Sequence, residues 1–453
     1  MYYRTIRNDI LRNRAITLTI MTFVAAAAML VSLAAILVVN LSGAIDTLMT
    51  QAKTPHLMQM HSGEMDAARL ANFVAQHDEI DEYQLLEFLN IDGAQIIFET
   101  GSLADSVQDN GVSVQGEKFD FLLDLDGHVI QVADGEIYVP IPYMQQGLAE
   151  VGDRVQVAGK EFTVAGFARD SQMNSLLSSS KRFLVSEHDY AEIRAFGSVE
   201  YLIEFRLTDL AELGAFELAY TSADLETNGP TLTYPLFKMV NGLADGLMIG
   251  VILLISGLVT TVAFLCIRFT LLAKIEEDYR EIGVMKAIGL RVADIKKIYI
   301  AQYAALAALG SILGLALSFL FRGVLLANIR LYMGESANGS LALLFGISAV
   351  LLVFLAIVAY VNGVLRRFRK VSPAEAIRFG IAREKTGGGK LFRLSMKRLL
   401  DTNVFLGLKD VLARKKLYAT MLAVLVISAF IIIVPQNLHN TVSSNDFITY
   451  MGI

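Results

Sequence analysis

The sequence predicts an α-helical integral membrane protein with an α+β extracytoplasmic domain inserted after its first span. Three observations carry this reading. The 453 residues are 54% hydrophobic with a mean hydropathy of +0.50, too apolar for a soluble protein of this length. The apolar residues gather into runs long enough to cross a bilayer. Charge is partitioned: residues 41–238 hold 32 Asp and Glu against 11 Lys and Arg, a net −21, whereas the remainder holds 13 against 28, a net +15. Basic flanks belong on the cytoplasmic side of spans, so the acidic block is expected outside and the N-terminus inside. The basic residues are scattered over separate flanks with no aromatic-studded groove, which argues against nucleic acid as a partner.

Residues 1–14, MYYRTIRNDILRNR, form a basic amphipathic stretch. The apolar run 15–39 follows, about 37 Å long as a helix, and is too long for the core of a cleaved signal peptide. Residues 41–240 then read as one extracytoplasmic domain. The segment DAARLANFVAQH has helical spacing, with Leu70, Phe73 and Val74 on one face. Phe119, Phe121, Leu123 and Leu125 alternate before Asp126-Gly127, which predicts a hairpin with 128–132. Val155, Val157, the Gly159-Lys160 turn, Phe162, Val164 and Phe167 predict a second.

Span two is expected at 243–272, span three at 299–321 and span four at 341–365, with about twenty residues between the last two. Arg366-Arg367-Phe368-Arg369-Lys370 holds the end of span four inside. A linker containing Thr386-Gly387-Gly388-Gly389-Lys390 precedes a fifth span at 417–434. Asp9-Ile10-Leu11-Arg12-Asn13-Arg14 aligns with Asp410-Val411-Leu412-Ala413-Arg414-Lys415 at an offset of 401. This repeat suggests one four-span unit followed by the first span of a second copy.

Between spans two and three lies KIEEDYREIGVMKAIGLRVADIKKIY, 274–299. Tyr279, Ile282, Met285 and Gly289 fall at three- and four-residue steps on one helical face. Gly289 suits a helix stop, because glycine takes the left-handed C′ conformation freely. A second helix is expected from Val292, with Ile295, Ile298 and Tyr299 facing one way. The bland alternative is an amphipathic loop on the membrane surface.

The run Arg280-Glu281-Ile282-Gly283-Val284-Met285-Lys286-Ala287-Ile288-Gly289 closely resembles the signature of FtsX/MacB-type ABC-transporter permeases. About ninety residues further on, Val371-Ser372-Pro373-Ala374-Glu375-Ala376-Ile377-Arg378 resembles the segment after that family's fourth span. The family often has Ser or Thr where Arg291 stands, and Glu where Gln302 stands. GLAEVGDRVQVAGKEFTVAGF and KRFLVSEHDYAEI resemble the MacB-type periplasmic core. The resemblance implies an FtsX-like permease fold, akin to the duplicated LolC/LolE-like permeases. It divides the chain into 1–40 (amphipathic helix and first span), 41–240 (external domain), 241–380 (permease domain with coupling helix 274–297), 381–416 (cytoplasmic linker) and 417–453 (start of a second unit).

It also implies a plasma-membrane, multi-pass, non-catalytic subunit. A dimer of separate ABC ATPase subunits would bind ATP and magnesium, and a second permease unit would complete the assembly. The expected docking element is Arg280, Glu281, Ile282, Gly283, Met285, Lys286, Ala287, Ile288 and Gly289, with Ile282, Met285 and Ile288 inserted into a groove on the ATPase. ATPase closure would reach the external domain as a mechanical stroke, for export or extraction of lipid, lipoprotein, peptide or hydrophobic antibiotic. The rival is a membrane-anchored sensor whose external domain binds a peptide or activates a cell-wall hydrolase.

Other candidates reduce to structure. The stretch 386–390 lacks phosphate-loop spacing and has Leu391 where a hydroxyl is needed, so it reads as a linker. His56, His61 and His77 lack the Cys or carboxylate company of a metal set and read as exposed. Asp124-x-Asp126-Gly127 echoes a calcium loop but fails at its first and twelfth positions, Leu122 and Ala133. Asp78-Glu79 and Asp81-Glu82 read as a solvated face. Cys266, the one cysteine, excludes a disulfide within the chain. No nucleophile-elbow context appears, so no catalytic residue, cofactor or metal ligand is assigned. Gly310 and Gly314, with Ala304, Ala307, Ala308 and Ser311, give span three a small-residue surface for close packing against a neighbouring span or a second permease.

Overall fold

The computed structural model describes residues 14–175, 178–370, 372–379, 407, 411 and 415–442. The basic stretch 1–13, the glycine-rich segment 386–390 and most of the 381–416 linker lie outside the described residues. The chain divides into two compact units, one built from 37–248 with 323–342, the other from the remainder.

The first unit holds one mixed sheet. After α1 (Arg14–Gln51) come β1 (Leu57–Ser62), α2 (Ala67–Val74), β2 (Ile80–Ile91), β3 (Ile96–Phe98), β4 (Gly101–Ser102) and β5 (Asp109–Ser113). They are followed by β6 (Glu136–Pro140), α3 (Ile141–Gln145), β7 (Arg154–Val157), β8 (Lys160–Ala168), β9 (Ser180–Leu184), α4 (Glu187–Ile193), β10 (Ser198–Leu207), α5 (Leu213–Ser222) and β11 (Thr231–Thr233). The strand order is β11-β1-β10-β2-β5-β9-β6-β8-β7-β3-β4, with β5–β9 and β6–β8 parallel. Helix α2 starts where expected, because the Asp66 carboxylate accepts from the Ala68 and Arg69 amides at 3.1 Å and satisfies two orphan donors. Its Leu70 and Phe73 pack with Phe216 and Tyr220 of α5 over Leu57, Ile203 and Phe205 of the sheet.

The β7–β8 hairpin forms, with its turn one residue earlier than expected, at Ala158-Gly159 instead of Gly159-Lys160. Val157 faces Lys160, and Ala158 (φ 50°) and Gly159 (φ 83°) both take the left-handed region that a tight two-residue hairpin turn requires. The first expected hairpin forms only in its shortest version: the chain reverses at 124–128, Leu123 pairs antiparallel with Val129, and the Ile130 amide donates to the Leu122 carbonyl at 3.1 Å, while Leu123 also bridges Arg169 and no extended strands develop. Phe119, Leu122 and Leu123 are buried and Leu125 is exposed, so the burial is not strand-like in period, and these side chains plug the core from a loop.

The long helices are α1, α6 (Tyr234–Glu277), α8 (Val292–Met333) and α9 (Gly339–Val364), with α7 (Tyr279–Ala287) between α6 and α8, then α10 (Pro373–Phe379) and α11 (Lys415–Val442). Four stretches are long and apolar enough to cross a membrane by length and composition: Thr17–Gln51, Tyr234–Glu277, Val292–Met333 and Gly339–Arg369. Expected spans two, three and four each lie inside one of them and the first, at 15–39, begins two residues before its stretch, yet the helices overrun the apolar windows. Helix α8 continues to Met333 instead of stopping at 321, so residues 334–338 alone link it to α9. Leu326, Ile329, Tyr332 and Met333 keep one buried face at helical spacing, and nothing breaks the helix before Gly334 at φ 81°. Helix α11 covers the expected fifth span, with a shorter apolar part, Met421–Asn437.

In the helical unit, α1 is the packing centre. A Cβ at Gly310 would lie 2.8 Å from Val24 Cγ1, and one at Gly314 would overlap the Ala25 carbonyl and approach Ala28 Cβ to 2.7 Å. Gly346 of α9 likewise admits Ile36 of α1, and Ser32 and Ser318 bond through their hydroxyls at 3.1 Å. The small surface of span three is thus occupied by the chain's own first helix, whose Ala25–Ala28 run is its counterpart. Close backbone approach is how helices gain dispersion energy in lipid.

Candidate coupling site

Helix α7 and the start of α8 form an elbow. Helix α7 ends in a Schellman arrangement: the Gly289 amide donates to the Lys286 carbonyl at 3.1 Å and the Leu290 amide to the Met285 carbonyl at 3.0 Å. Gly289 stands at φ 94°, and a Cβ there would meet nothing within 4 Å. Backbone conformation alone, rather than crowding, calls for glycine. Helix α8 begins with the Arg291 carbonyl accepting from Asp294 and Ile295, and Asp294 in its first turn suits the positive helix end.

The inner face of the elbow is fixed by the chain itself. Ile282 is fully buried, with Tyr279, Ile295, Tyr299, Phe368 and Ala376 in the same core, and Met285 is partly buried against it. A Cβ at Gly283 would overlap Ala376 Cβ, so the glycine of REIG and the alanine of SPAEA touch. The Lys286 ammonium donates to the Phe368 carbonyl at 2.5 Å, and the Tyr299 hydroxyl donates to Asp278 at 2.7 Å. This corrects the expectation for Ile282 and Gly283: they face the helical core and offer no surface to another protein. The apolar stripe was assigned to the wrong neighbour, because periodicity marks a buried face without saying what buries it. Arg280, Glu281, Val284, Ala287, Ile288 and Leu290 are exposed, with Ile288 the most open apolar side chain of the elbow at 73%.

A second constellation, absent from the sequence reading, sits in the sheet unit. The last turn of α8 leaves carbonyls without intrahelical donors, and residues after β8 supply them. Arg169, buried, donates from Nε to the Leu331 carbonyl at 2.9 Å and from Nη2 to the Arg330 carbonyl at 2.8 Å. Asn174 donates to the Tyr332 carbonyl at 2.5 Å. The Ser171 carbonyl accepts from Asn241 of α6 at 2.6 Å. A guanidinium at the negative end of a helix macrodipole is favourable. Residues 169–174 therefore clasp the ends of two long helices. The one legible signal was a polar run, RDSQMNS, after an apolar strand.

The clasp is anchored by buried charge. Arg182 on β9 is fully buried and donates to Asp170 Oδ2 at 2.8 Å and to Asp120 at 2.5 and 3.2 Å. Burial opposes its charge, but Asp120 and Asp170 outweigh that and raise its pKa. Asp120 turns toward it from φ 54°, a left-handed conformation that Asp tolerates better than most residues. Glu204 on β10 accepts from Gln84 at 2.8 Å and Gln172 at 2.6 Å. Burial, then the Asp120 charge, push its pKa well up.

Lys181 is also fully buried. Its ammonium donates to the Ser175, Ser178 and Ser180 carbonyls at 2.9, 2.9 and 3.2 Å, and burial lowers its pKa to about 7, against a pull upward from Asp170. The unfolded chain keeps the ordinary lysine value of 10.5. Between those values it holds the extra proton, so stability must rise with pH there and level off below about 7. From pH 7.5 to 9.5 wild type should gain up to about 2–3 kcal/mol relative to Lys181→Met. Denaturant titration of both proteins in detergent checks this, and parallel pH dependences would remove Lys181 as the source.

The remaining candidates stay structural. Asp124, Asp126 and His128 lie close enough together to share an ion. Asp124 Oδ1 instead accepts from the Asp126 and His128 amides at 2.8 and 2.9 Å, closing a turn. The three histidines are half-buried or buried rather than exposed. Each is bonded to backbone: His56 to Leu207, His61 to Asn228 and Glu64, and His77 to Phe73. Backbone partners let an imidazole leave water.

Residues 253–373 match the family model of the FtsX-like permease C-terminal domain. No curated protein matches the chain. The matched stretch covers roughly a quarter of the sequence, from α6 through the elbow to the first residue of α10. The elbow and the helices on both sides of it are what this chain has in common with FtsX-like permeases, and the match supports a membrane permease subunit of the ABC-transporter type.

Proposed function

We propose that the chain is the permease subunit of an ATP-driven FtsX/MacB-type transporter, set in the plasma membrane with its N-terminus and elbow in the cytoplasm and its sheet unit outside. A dimer of separate ATPase subunits docks on the outward face of the elbow, around Val284, Ile288 and Leu290. The second permease unit is another copy or the continuation of a duplicated, LolC/LolE-like chain, for which the basic-to-apolar repeat at α11 speaks. The work done is mechanical, moving the external unit to export or extract a lipid, lipoprotein, peptide or hydrophobic antibiotic.

One observation carries the reading. Helix α8 is unbroken from Val292 to Met333, about 63 Å at 1.5 Å per residue. Its first turn leaves the Gly289 elbow and its last turn ends in the carbonyls that Arg169 and Asn174 hold. A single helix thus runs from the elbow proposed as the docking element to the carbonyls that residues 169–174 clasp, which supports this reading.

The test uses Ile288→Asp and Ile282→Asp. Ile288 is exposed in the chain alone, so its loss should leave folding intact while placing a carboxylate in an apolar contact. Recovery of the ATPase in pull-down should fall tenfold or more. Ile282→Asp should instead reduce the amount of folded protein, since the charge enters the chain's own core. Full recovery of the ATPase with Ile288→Asp would exclude this face as the docking site.

A further inference from the structure

A cleft of about 420 Å³ lies between α6 and α9 in the helical unit, lined by Arg268, Tyr360, Gly363, Val364, Arg366 and Arg367. All three arginines are exposed, and among the described residues no carboxylate pairs with any of them. Tyr360 forms a wall, its ring stacked on Phe264 at 4.7 Å. At Gly363 a Cβ would meet nothing within 4 Å, so the mouth stays open.

What leads away from the cleft is apolar. On α9, Gly363, Ala359, Leu355 and Leu351 follow at four-residue steps along one face, and Leu355 and Leu351 are 52% and 55% exposed. On α6, Leu254, 46% exposed, returns to the Arg268 face almost four turns away. These stripes run about 18–21 Å from the cationic cleft at 1.5 Å per residue, which exceeds half the hydrocarbon thickness of a bilayer, about 15 Å. A soluble anion would need the arginines and have no use for the stripes. Guanidinium groups bind phosphate oxygens bidentately, and basic pockets between spans on the cytoplasmic side suit acidic headgroups.

We propose that this cleft binds the phosphodiester headgroup of an anionic phospholipid from the adjacent leaflet, with its acyl chains along the exposed faces of α6 and α9. The inference rests on these helices spanning the membrane and is independent of ATPase docking.

The experiment takes the full chain in neutral detergent and measures thermal unfolding and retained lipid by native mass spectrometry. The additions are phosphatidylglycerol, cardiolipin, phosphatidylcholine or inorganic phosphate. Either anionic lipid should raise Tm and remain bound, whereas phosphatidylcholine and phosphate should not. The triple variant Arg268→Gln/Arg366→Gln/Arg367→Gln, taken from its monodisperse fraction, should bind the anionic lipids at least tenfold more weakly. The corresponding triple Lys variant should be intermediate, because it keeps charge and loses the bidentate fork. Equal response to phosphatidylcholine, or an unchanged response in the Gln variant, overturns the proposal. Equal stabilisation by phosphate makes the cleft a simple anion site and also overturns it. Loss of ATPase pull-down in the Gln variant with lipid binding intact would make the arginines a protein contact instead.

Discussion

Arg182→Met should leave the sheet unit unfolded or protease-sensitive at neutral pH. The side chain is fully buried and holds two carboxylates, Asp120 and Asp170, that are 0% and 5% exposed. Removing one member of such a set leaves uncompensated charge in a medium that solvates it poorly, at a cost of about 3–5 kcal/mol. Domains are commonly stable by only about 5–15 kcal/mol, so the loss takes most of the margin. The sign of the pH effect follows. Burial already raises the folded-state pKa of Asp120 against the pull of Arg182; without the guanidinium it rises further, the folded state binds a proton more readily, and stability should return as pH falls through that raised value. Combining Arg182→Met with Asp120→Asn and Asp170→Asn should recover most of the loss, since it removes the guanidinium and both of its carboxylate partners together. Limited proteolysis at pH 7.5 and 5 reads both outcomes. A single variant as resistant as wild type at pH 7.5 would mean that the network does not hold the unit together.

Much of this architecture was open to reading because it depends on local chemistry. The Gly289 stop is a backbone requirement of one residue type, and the apolar runs are long enough and poor enough in charge to cross a bilayer. The Gly310 and Gly314 surface was legible as well, although which helix fills it, the Ala25–Ala28 run of α1, emerges only from the structure. What stayed hidden depends on which surface meets which. Ile282 and Ile288 are six residues apart and equally apolar, yet one lies in the chain's core and the other in solvent. Helical period sets them on different faces, but it does not say which face the chain itself buries. Nothing local marks Lys181 and Arg182 as buried, because strand alternation assumes one wet face. Strand β9 has neighbours on both sides, β5 and β6, and every residue of it is buried. Its cations are tolerated only because carbonyls of the segment just before the strand hold Lys181 and the Asp120 and Asp170 carboxylates hold Arg182. The donors on Arg169 and Asn174 were invisible for the same reason: their acceptors, the terminal carbonyls of α8, lie some 160 residues further along.

Arg169→Met should separate ATP turnover from work. Arg169 bonds the Arg330, Leu331 and Asp124 carbonyls, and charge-assisted bonds contribute about 1.5–3 kcal/mol each. Methionine fills much of the space and keeps the apolar stem while removing every donor. The end of α8 then loses its cation, and the sheet unit loses its strongest hold on that helix. On the proposed docking at Ile288 the ATPase side is untouched, because that face includes none of these atoms. We expect pull-down recovery and stimulated ATPase rate within twofold of wild type. The nucleotide-dependent change in hydrogen exchange over residues 57–233 should fall at least fivefold. Arg169→Lys is the informative companion: an ammonium can reach one carbonyl but cannot fork across two, so it should restore only part of the response. A purely structural role would instead lower Tm in proportion to the lost exchange response, and would be relieved by any change that raises stability. Preserved nucleotide-dependent exchange in Arg169→Met would show that the motion reaches the sheet by another route, with Asn174 and Asn241 the next bonds to remove.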